Sequence, residues 1–463
     1  MAGAVLHLAR IESEANTQPH GPCPSRRVSR SGARSTARFI VRFALAAVTS
    51  ASLIGCGNTY RPVVTAINPV GPAGQPQKFA VAISTTGPTT PGLVTFVDVS
   101  GDTVLITATI GVDPYYLILN GSSSTTATTG YTLNRDTTVN SFDISTSLLS
   151  SQVLQTTLLA GAAPVSIFPQ GAYTYITEPG RNQIATLQGT PPVLKQEFPV
   201  ENPIYVVGVS KAPRIYATGS DSAGNGQVWP FDTVNNLPDG TVIPVGKDPV
   251  YGVMTADYKR AFILNKGDGT VSVINSQTNQ LDVLPAGKTN PISVGTAPLW
   301  ADFAPTRNEL VVANAGDGTT PGSVSIISIP LCSATSLPGN PNCDATNPVD
   351  ANGFGTVLAT VPVGVNPQMV GVLQDGSRAY VVNQADSTVS VINLNTNTVT
   401  AVIPVPATVH PNYIAVTTGT PTGKVYVTSP ESTNMTVIRT DTDSVDTVIP
   451  LQGKGVSVRV TVP

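Results

Sequence analysis

A segment of about 40 residues recurs along most of this chain, and that period constrains the fold more than any other feature. Its clearest copy runs from Pro367 to Pro406. It reads Gln-Met-Val-Gly-Val-Leu, a Gln374-Asp-Gly-Ser turn, and Arg378-Ala-Tyr-Val-Val-Asn. A Gln384-Ala-Asp-Ser turn, Thr388-Val-Ser-Val-Ile-Asn, a Leu394-Asn-Thr-Asn turn and Thr398-Val-Thr-Ala-Val-Ile-Pro-Val follow. Four short runs rich in β-branched residues, joined by three four-residue turns, predict antiparallel hairpins in a four-stranded meander.

Further copies open at Pro249, Pro298 and Pro411, and less regular ones at Pro114, Pro164 and Pro203. The starts are 50, 39, 46, 49, 69 and 44 residues apart. The interval of 69 contains a Pro-, Gly- and Asn-rich insertion at 330–355, placed between the third and fourth strands of its repeat. Residues 92–110 read as a third and fourth strand, and Phe79-Ala-Val-Ala-Ile as a second. The missing first strand is then Val456-Ser-Val-Arg-Val-Thr-Val462. A ring closed by both ends leaves no open sheet edge. The expected fold is all-β, a β-propeller of four-stranded antiparallel blades. Seven internal starts and the shared blade make eight, with seven as the alternative. Small residues on first strands, among them Gly208, Gly252, Gly371 and Ala415, suit the narrow end of a wedge near the axis.

The motifs Tyr380-Val-Val-Asn383, Tyr426-Val-Thr-Ser429 and, loosely, Phe262-Ile-Leu-Asn265 are each followed by a Thr-Val-Ser-Val-Ile-Asn-like strand. Together they resemble the YVTN β-propeller repeat family over residues 110–463. That resemblance implies a propeller, with seven blades as the family's usual number.

Upstream, Arg26, Arg27, Arg30, Arg34, Arg38 and Arg42 precede an apolar run from Phe43 to Cys56. A basic stretch, a short apolar core and small residues form an export signal, and the core is too short to span a membrane comfortably. Leu53-Ile54-Gly55-Cys56 resembles the bacterial lipobox. The resemblance implies lipid on the Cys56 thiol, cleavage before Cys56 and an acylated new amine. More than one acyl chain anchors stably, at about 0.8 kcal/mol per buried CH₂. Gly57 in place of Asp fits an outer-membrane destination. The expected organisation is a leader over 1–55, a tether over 56–76 and a propeller over 77–463. Cys332 and Cys343 are then left as a pair inside the insertion, and a disulfide between them is expected in an oxidising compartment.

Chemistry is sparse. The first 55 residues hold seven Arg and two Glu, so the remainder has 18 basic and 26 acidic residues. A mildly acidic body without a basic cluster excludes nucleic acid as a partner. His410 is the one histidine beyond the leader, so neither a His-based metal centre nor a Gly-x-Ser-x-Gly hydrolase is indicated. Gly267-Asp-Gly-Thr and Gly316-Asp-Gly-Thr fit hairpin turns better than calcium loops. Trp229 and Trp300 lie in strand runs and read as core, and with aromatics at 6% no stacking platform is indicated. One constellation stands out. Asp113, Asn202, Asp248, Asn366 and His410 each precede a blade-opening Pro and would ring one rim of the channel, although Asx-Pro also simply starts turns.

These features predict an exported, membrane-tethered module that binds a protein or small ligand, with no catalytic set and no cofactor. The alternative is a lactonase or hydrolase using a carboxylate-held divalent cation, calcium or magnesium, in the channel. A structural role in an envelope complex is a third expectation.

Overall fold

A computed structural model describes residues 78–120, 128–144, 153–330, 353–417 and 423–461. Cys56, Cys332 and Cys343 lie outside them. The described residues form eight antiparallel sheets, and the chain is an eight-bladed β-propeller. Blade 1 joins the two ends. Its innermost strand is Lys454–Val460, followed outward by Phe79–Thr85, Pro91–Asp98 and Thr103–Val112. Blades 2 to 8 open with Pro114–Asn120, Ser166–Gln170, Pro203–Val207, Pro249–Met254, Pro298–Ala304, Pro367–Val372 and Tyr413–Thr417. Each of these first strands touches the next, and the one at Lys454–Val460 touches those of blades 2 and 8, so the ring is unbroken.

The 330–355 insertion lies where expected, between the third strand Pro321–Ser328 and the fourth strand Thr356–Val365 of blade 6. The fourth strands of blades 4 and 5 depart from the repeat. Each is reduced to two-residue pieces, Leu237–Pro238 with Ile243–Pro244, and Gln280–Leu281 with Ile292–Ser293. Prolines remove ladder donors there, and Asp239-Gly240 and Ala286-Gly287 turn the chain away.

The repeat motif has a concrete basis. The Asn ending a second strand is buried and holds the third strand beside it. Asn383 Nδ2 donates to Thr388 Oγ1 at 3.0 Å and to Ser390 Oγ at 2.9 Å, and Asn265 makes the same bonds to Thr270 and Ser272. Asn314 bonds Ser323 and Ser325 in this way. The incoming chain crosses directly over this unit. A Cβ on Gly295 would stand 2.6 Å from Ser323 Oγ and 2.7 Å from Asn314, which is why glycine precedes the blade-opening proline by three residues. The tyrosine of the motif reaches the next blade. Tyr380 Oη donates to Asp443 Oδ1 at 2.6 Å and Arg378 to Oδ2 at 2.7 Å. Tyr426 and Lys424 bind Asp102 in the same manner across the closing junction.

Near the axis the blades come close. A Cβ on Gly252 would stand 2.5 Å from Val207 of blade 4, and one on Gly371 would stand 2.9 Å from Val416 of blade 8. Small residues on first strands are therefore a packing requirement. Apolar clusters fill the spaces between blades, such as Phe262, Leu264 and Val273 against Leu310 and Val312.

Candidate functional site in the axial channel

All first strands run in the same sense along the axis, so equivalent residues form levels. At the entry level lie Asp113, Asn202, Asp248, Asn366 and His410. They share a backbone feature with Ala163 and Ala297, since all seven have φ between 39° and 56°. Asn and Asp tolerate this left-handed region better than most residues, which accounts for the polar preference at this position. The side chains turn toward neighbouring strands. Asp113 accepts from Thr85 Oγ1 at 2.8 Å, Asn202 donates to Ser220 at 2.9 Å, and Asn366 donates to Gln384 at 2.8 Å. His410 Nδ1 lies 2.6 Å from Glu431 Oε2. Asp248 is exposed. None of these bonds joins two of the five.

Three residues further along each strand, the sequence places an aromatic in five blades: Tyr116, Tyr205, Tyr251, Trp300 and Tyr413. Met369 fills the position in blade 7, and Ser166 and Ser457 in blades 3 and 1. These rings pack together across the axis. Tyr205 lies 4.8 Å from Tyr251, Tyr251 stacks on Trp300 at 4.0 Å, and Trp300 meets Tyr413 edge-on at 6.0 Å. Tyr116 Oη lies 3.5 Å from Tyr205 Oη. Trp300 is therefore part of an axial collar as well as packing on the core. Sequence reasoning treated it as core alone and missed the collar. The available signal was the Pro-x-aromatic that recurs at the start of five blades.

The next level carries the only two charges among its eight equivalent positions, Asp302 on blade 6 and Arg459 on blade 1. The Asp302 carboxylate accepts the Val372 and Phe303 backbone N–H groups, each at 2.9 Å. Burial pushes its pKa up to about 6, against the lowering effect of those N–H groups and of Arg459. The Arg459 guanidinium lies 5.3 Å from the ring centres of both Trp300 and Tyr413, and its Nε donates to Leu117 O at 3.3 Å. Burial pulls its pKa down. It nevertheless lies above the usual arginine value, with Tyr413, Tyr116, Tyr251 and Tyr205 around it, so the group stays a cation. Burial pushes the phenols of Tyr116, Tyr205 and Tyr251 far up, so they stay protonated and can donate.

Beyond this level the channel widens into a cavity of about 620 Å³. Its walls come from first-strand ends of seven blades and include Phe168, Met254, Asp302, Phe303, Val372 and Val416. Most of the lining is apolar, as in small-molecule sites. Asp257 and Glu309 also border it, but each is engaged. Asp257 accepts from Thr255 Oγ1 at 2.6 Å and from Lys259 N at 3.2 Å, and Glu309 pairs with Arg307. Among the described residues, no group of three or more His, Cys, Asp or Glu is placed to hold a metal ion. No described helix is long and apolar enough to cross a membrane. The two Asp-Gly segments form turns between second and third strands; in one, Asp317 accepts the Thr319 and Thr320 N–H groups, which hold its carboxyl well below the usual range.

No family model matches the chain, and no curated protein matches it in sequence. Solved propellers do. Apo AztD from Citrobacter koseri superposes with a TM-score of 0.55 at 12% identity, over 83% of this chain and 97% of that one. The dihydro-heme d1 dehydrogenase NirN in complex with DHE gives a TM-score of 0.57 at 13% identity, over 84% and 76%. A putative 6-phosphogluconolactonase from Bacteroides uniformis gives 0.52 at 14%, over 83% and 99%. At such identities the likeness is one of fold. Three such different proteins on one scaffold illustrate why function must be argued from the site.

Proposed function

We propose that this protein is an exported, lipid-tethered propeller that binds a small ligand with an apolar body in the open end of its axial channel, as a binding module without chemistry of its own. The observation that carries this proposal is the cavity of about 620 Å³, built from seven blades and walled mainly by apolar side chains. Concave, apolar and preformed sites with few polar groups are where small molecules bind. The rigid ring around it keeps the site organised before a ligand arrives, which lowers the ordering cost of binding. Export and lipid attachment rest on the basic and apolar run ending at Cys56 and on its likeness to the lipobox. The repeat's likeness to the YVTN family adds no ligand.

Two experiments test the proposal. Calorimetric titration with butanol, hexan-1-ol and octan-1-ol reads the cavity. Affinity is expected to rise about fourfold per added methylene, the equivalent of about 0.8 kcal/mol, and Val372→Trp should abolish it by filling the space. Affinity that is independent of chain length would overturn the cavity reading. For location, Cys56→Ala is expected to move the protein from the membrane to the soluble fraction. An unchanged membrane fraction would overturn the lipid tether.

A further inference from the structure

The level that holds Arg459 is otherwise apolar, apart from Asp302. Its equivalents on the other first strands are Ile118, Phe168, Val207, Val253, Gly371 and Ala415. Blade packing asks for small or branched hydrocarbon there, and five blades supply it, with the aromatic Phe168 in blade 3. Arginine on the closing strand therefore needs another reason. Its side chain reaches from blade 1 to the faces of Trp300 on blade 6 and Tyr413 on blade 8. Only its Nε finds an acceptor, Leu117 O. Among the described residues its terminal nitrogens donate no hydrogen bond, and no carboxylate lies within ion-pair distance of it. Asp302, on the same level, already accepts two backbone N–H groups.

Arg459 is half-buried, and a partly desolvated guanidinium with open N–H groups gains when something negative completes it. Tyr116, Tyr205, Tyr251 and Tyr413 are its aromatic neighbours in the collar. Tyr116 Oη and Tyr205 Oη lie 3.5 Å apart, so hydroxyl groups of the collar are further polar groups near it. Ring faces on two sides hold the guanidinium plane by cation–π attraction, worth about 0.5–2 kcal/mol. The result is an oriented cation among aromatic residues, on the same level as Asp302, Ile118 and Phe168, which line the apolar cavity.

We propose that Arg459 is the anion-recognition group of the channel, and that the ligand carries a carboxylate on an apolar body. The carboxylate would meet the terminal nitrogens of Arg459 and the tyrosine hydroxyls, and the apolar body would fill the cavity beyond Asp302. This inference rests on the cavity binding reading given above. It goes further by naming the charge and chemical class of the ligand's polar end. Arginine suits a planar carboxylate through paired N–H bonds, which lysine cannot reproduce.

The test compares octanoate, octan-1-ol, octylamine and sodium formate on the full chain, by calorimetry and by Trp300 fluorescence. Octanoate is expected to bind at least tenfold more tightly than octan-1-ol. Arg459→Met should erase that difference while leaving octan-1-ol unchanged, and Arg459→Lys should retain only part of it. If Arg459→Met fails to fold, Tyr413→Phe and Tyr116→Phe serve instead. Each should weaken octanoate about three- to tenfold and leave octan-1-ol unchanged. Equal affinity for octanoate and octan-1-ol would overturn the anion site and leave the apolar cavity standing. A preference for octylamine would overturn it in favour of Asp302 as the anchor. A formate response that is lost in Arg459→Met, with no octyl compound bound, would uphold the anion site and sink the cavity reading. Silence in every arm would overturn both.

Discussion

Tyr251 lies against Trp300 with ring centroids 4.0 Å apart and planes inclined by 24°. The pair joins blades 5 and 6 at the axis, and Trp300 also packs against three of the apolar clusters between blades. Loss of a large aromatic from such a position leaves a void that flanking strands cannot close, because the ring fixes their spacing. Trp300→Ala is expected to lower stability by about 3–5 kcal/mol, the usual range for core Trp truncation. Trp300→Phe should cost less than half of that. Urea denaturation followed by circular dichroism reads both, and a cost below 1 kcal/mol for Trp300→Ala would show that the collar contributes nothing to holding the blades.

Within a blade, the Asn383 side chain is the fixed point of the repeat. Asn383→Ala removes two hydrogen bonds and leaves the Thr388 and Ser390 hydroxyls without their partner. Unsatisfied buried groups of this kind cost about 1–3 kcal/mol. A double-mutant cycle with Ser390→Ala should show a coupling of at least 0.5 kcal/mol. Additive losses would mean that the bond seen between them carries no energy.

Much of this architecture is legible in the sequence, because its signals are local. Alternation within Thr388–Asn393, an Asp-Gly turn at 268–269 and the proline at seven of the eight blade starts all act over a few residues. The closing blade was readable because the strands at 79–85 and 92–110 lack a first partner and the strand at 456–462 lacks the rest. The site was much less legible. A collar built from one residue per blade is scattered over some 300 residues of sequence, and Tyr251 taken alone looks like any core aromatic. Arg459 gave no signal at all, since its meaning depends on Trp300 and Tyr413, which reach it only when the ring closes. The polar run from Asp113 to His410 was visible, and its residues share a left-handed backbone turn with Ala163 and Ala297. In blades 4 and 5 the prolines at 238, 244, 285 and 291 signalled that the fourth strands would break, and the regular repeat masked them.

Asp302 gives the molecule a pH dependence of definite sign. Its carboxyl is held near pKa 6, against an ordinary value of 3.8, chiefly by burial. The folded state therefore binds this proton more tightly than the unfolded state does. Stability from this group is fully present below about pH 4 and is lost as pH rises toward 6. A shift of this size corresponds to at most about 3 kcal/mol. Thermal midpoints of the native chain should fall between pH 4 and 6.5 by more than those of Asp302→Asn, whose side chain does not titrate. Glu178, pushed up to about 7 first by burial and then by Glu197, acts in the same direction and should remain visible in Asp302→Asn. Identical pH profiles for the two proteins would show that Asp302 is not held near 6.

Ring closure rests on one strand pair. Lys454–Val460 pairs with Phe79–Thr85, matching Arg459 with Val81 and Ser457 with Ile83, and supplies both the inner strand of blade 1 and the guanidinium in the channel. Phe79 to Ser84 are all buried, so removing their partner exposes apolar side chains together with a row of unpaired backbone groups. The clasp of Tyr426 and Lys424 on Asp102 would remain, but it lies at the outer part of the junction and covers none of that edge. A chain ending at Leu451 is therefore expected to lose its cooperative transition and to associate through Phe79–Thr85, measured by thermal melting and light scattering. A synthetic peptide of residues 452–463 should restore a monomeric, cooperative fold by pairing with that edge. The same peptide with Val458→Pro should fail, because proline removes a ladder donor and its ring crowds the neighbouring strand. A truncated chain that melts at the same temperature as the intact one, without association, would mean that closure by the two ends contributes nothing to holding the eight blades together.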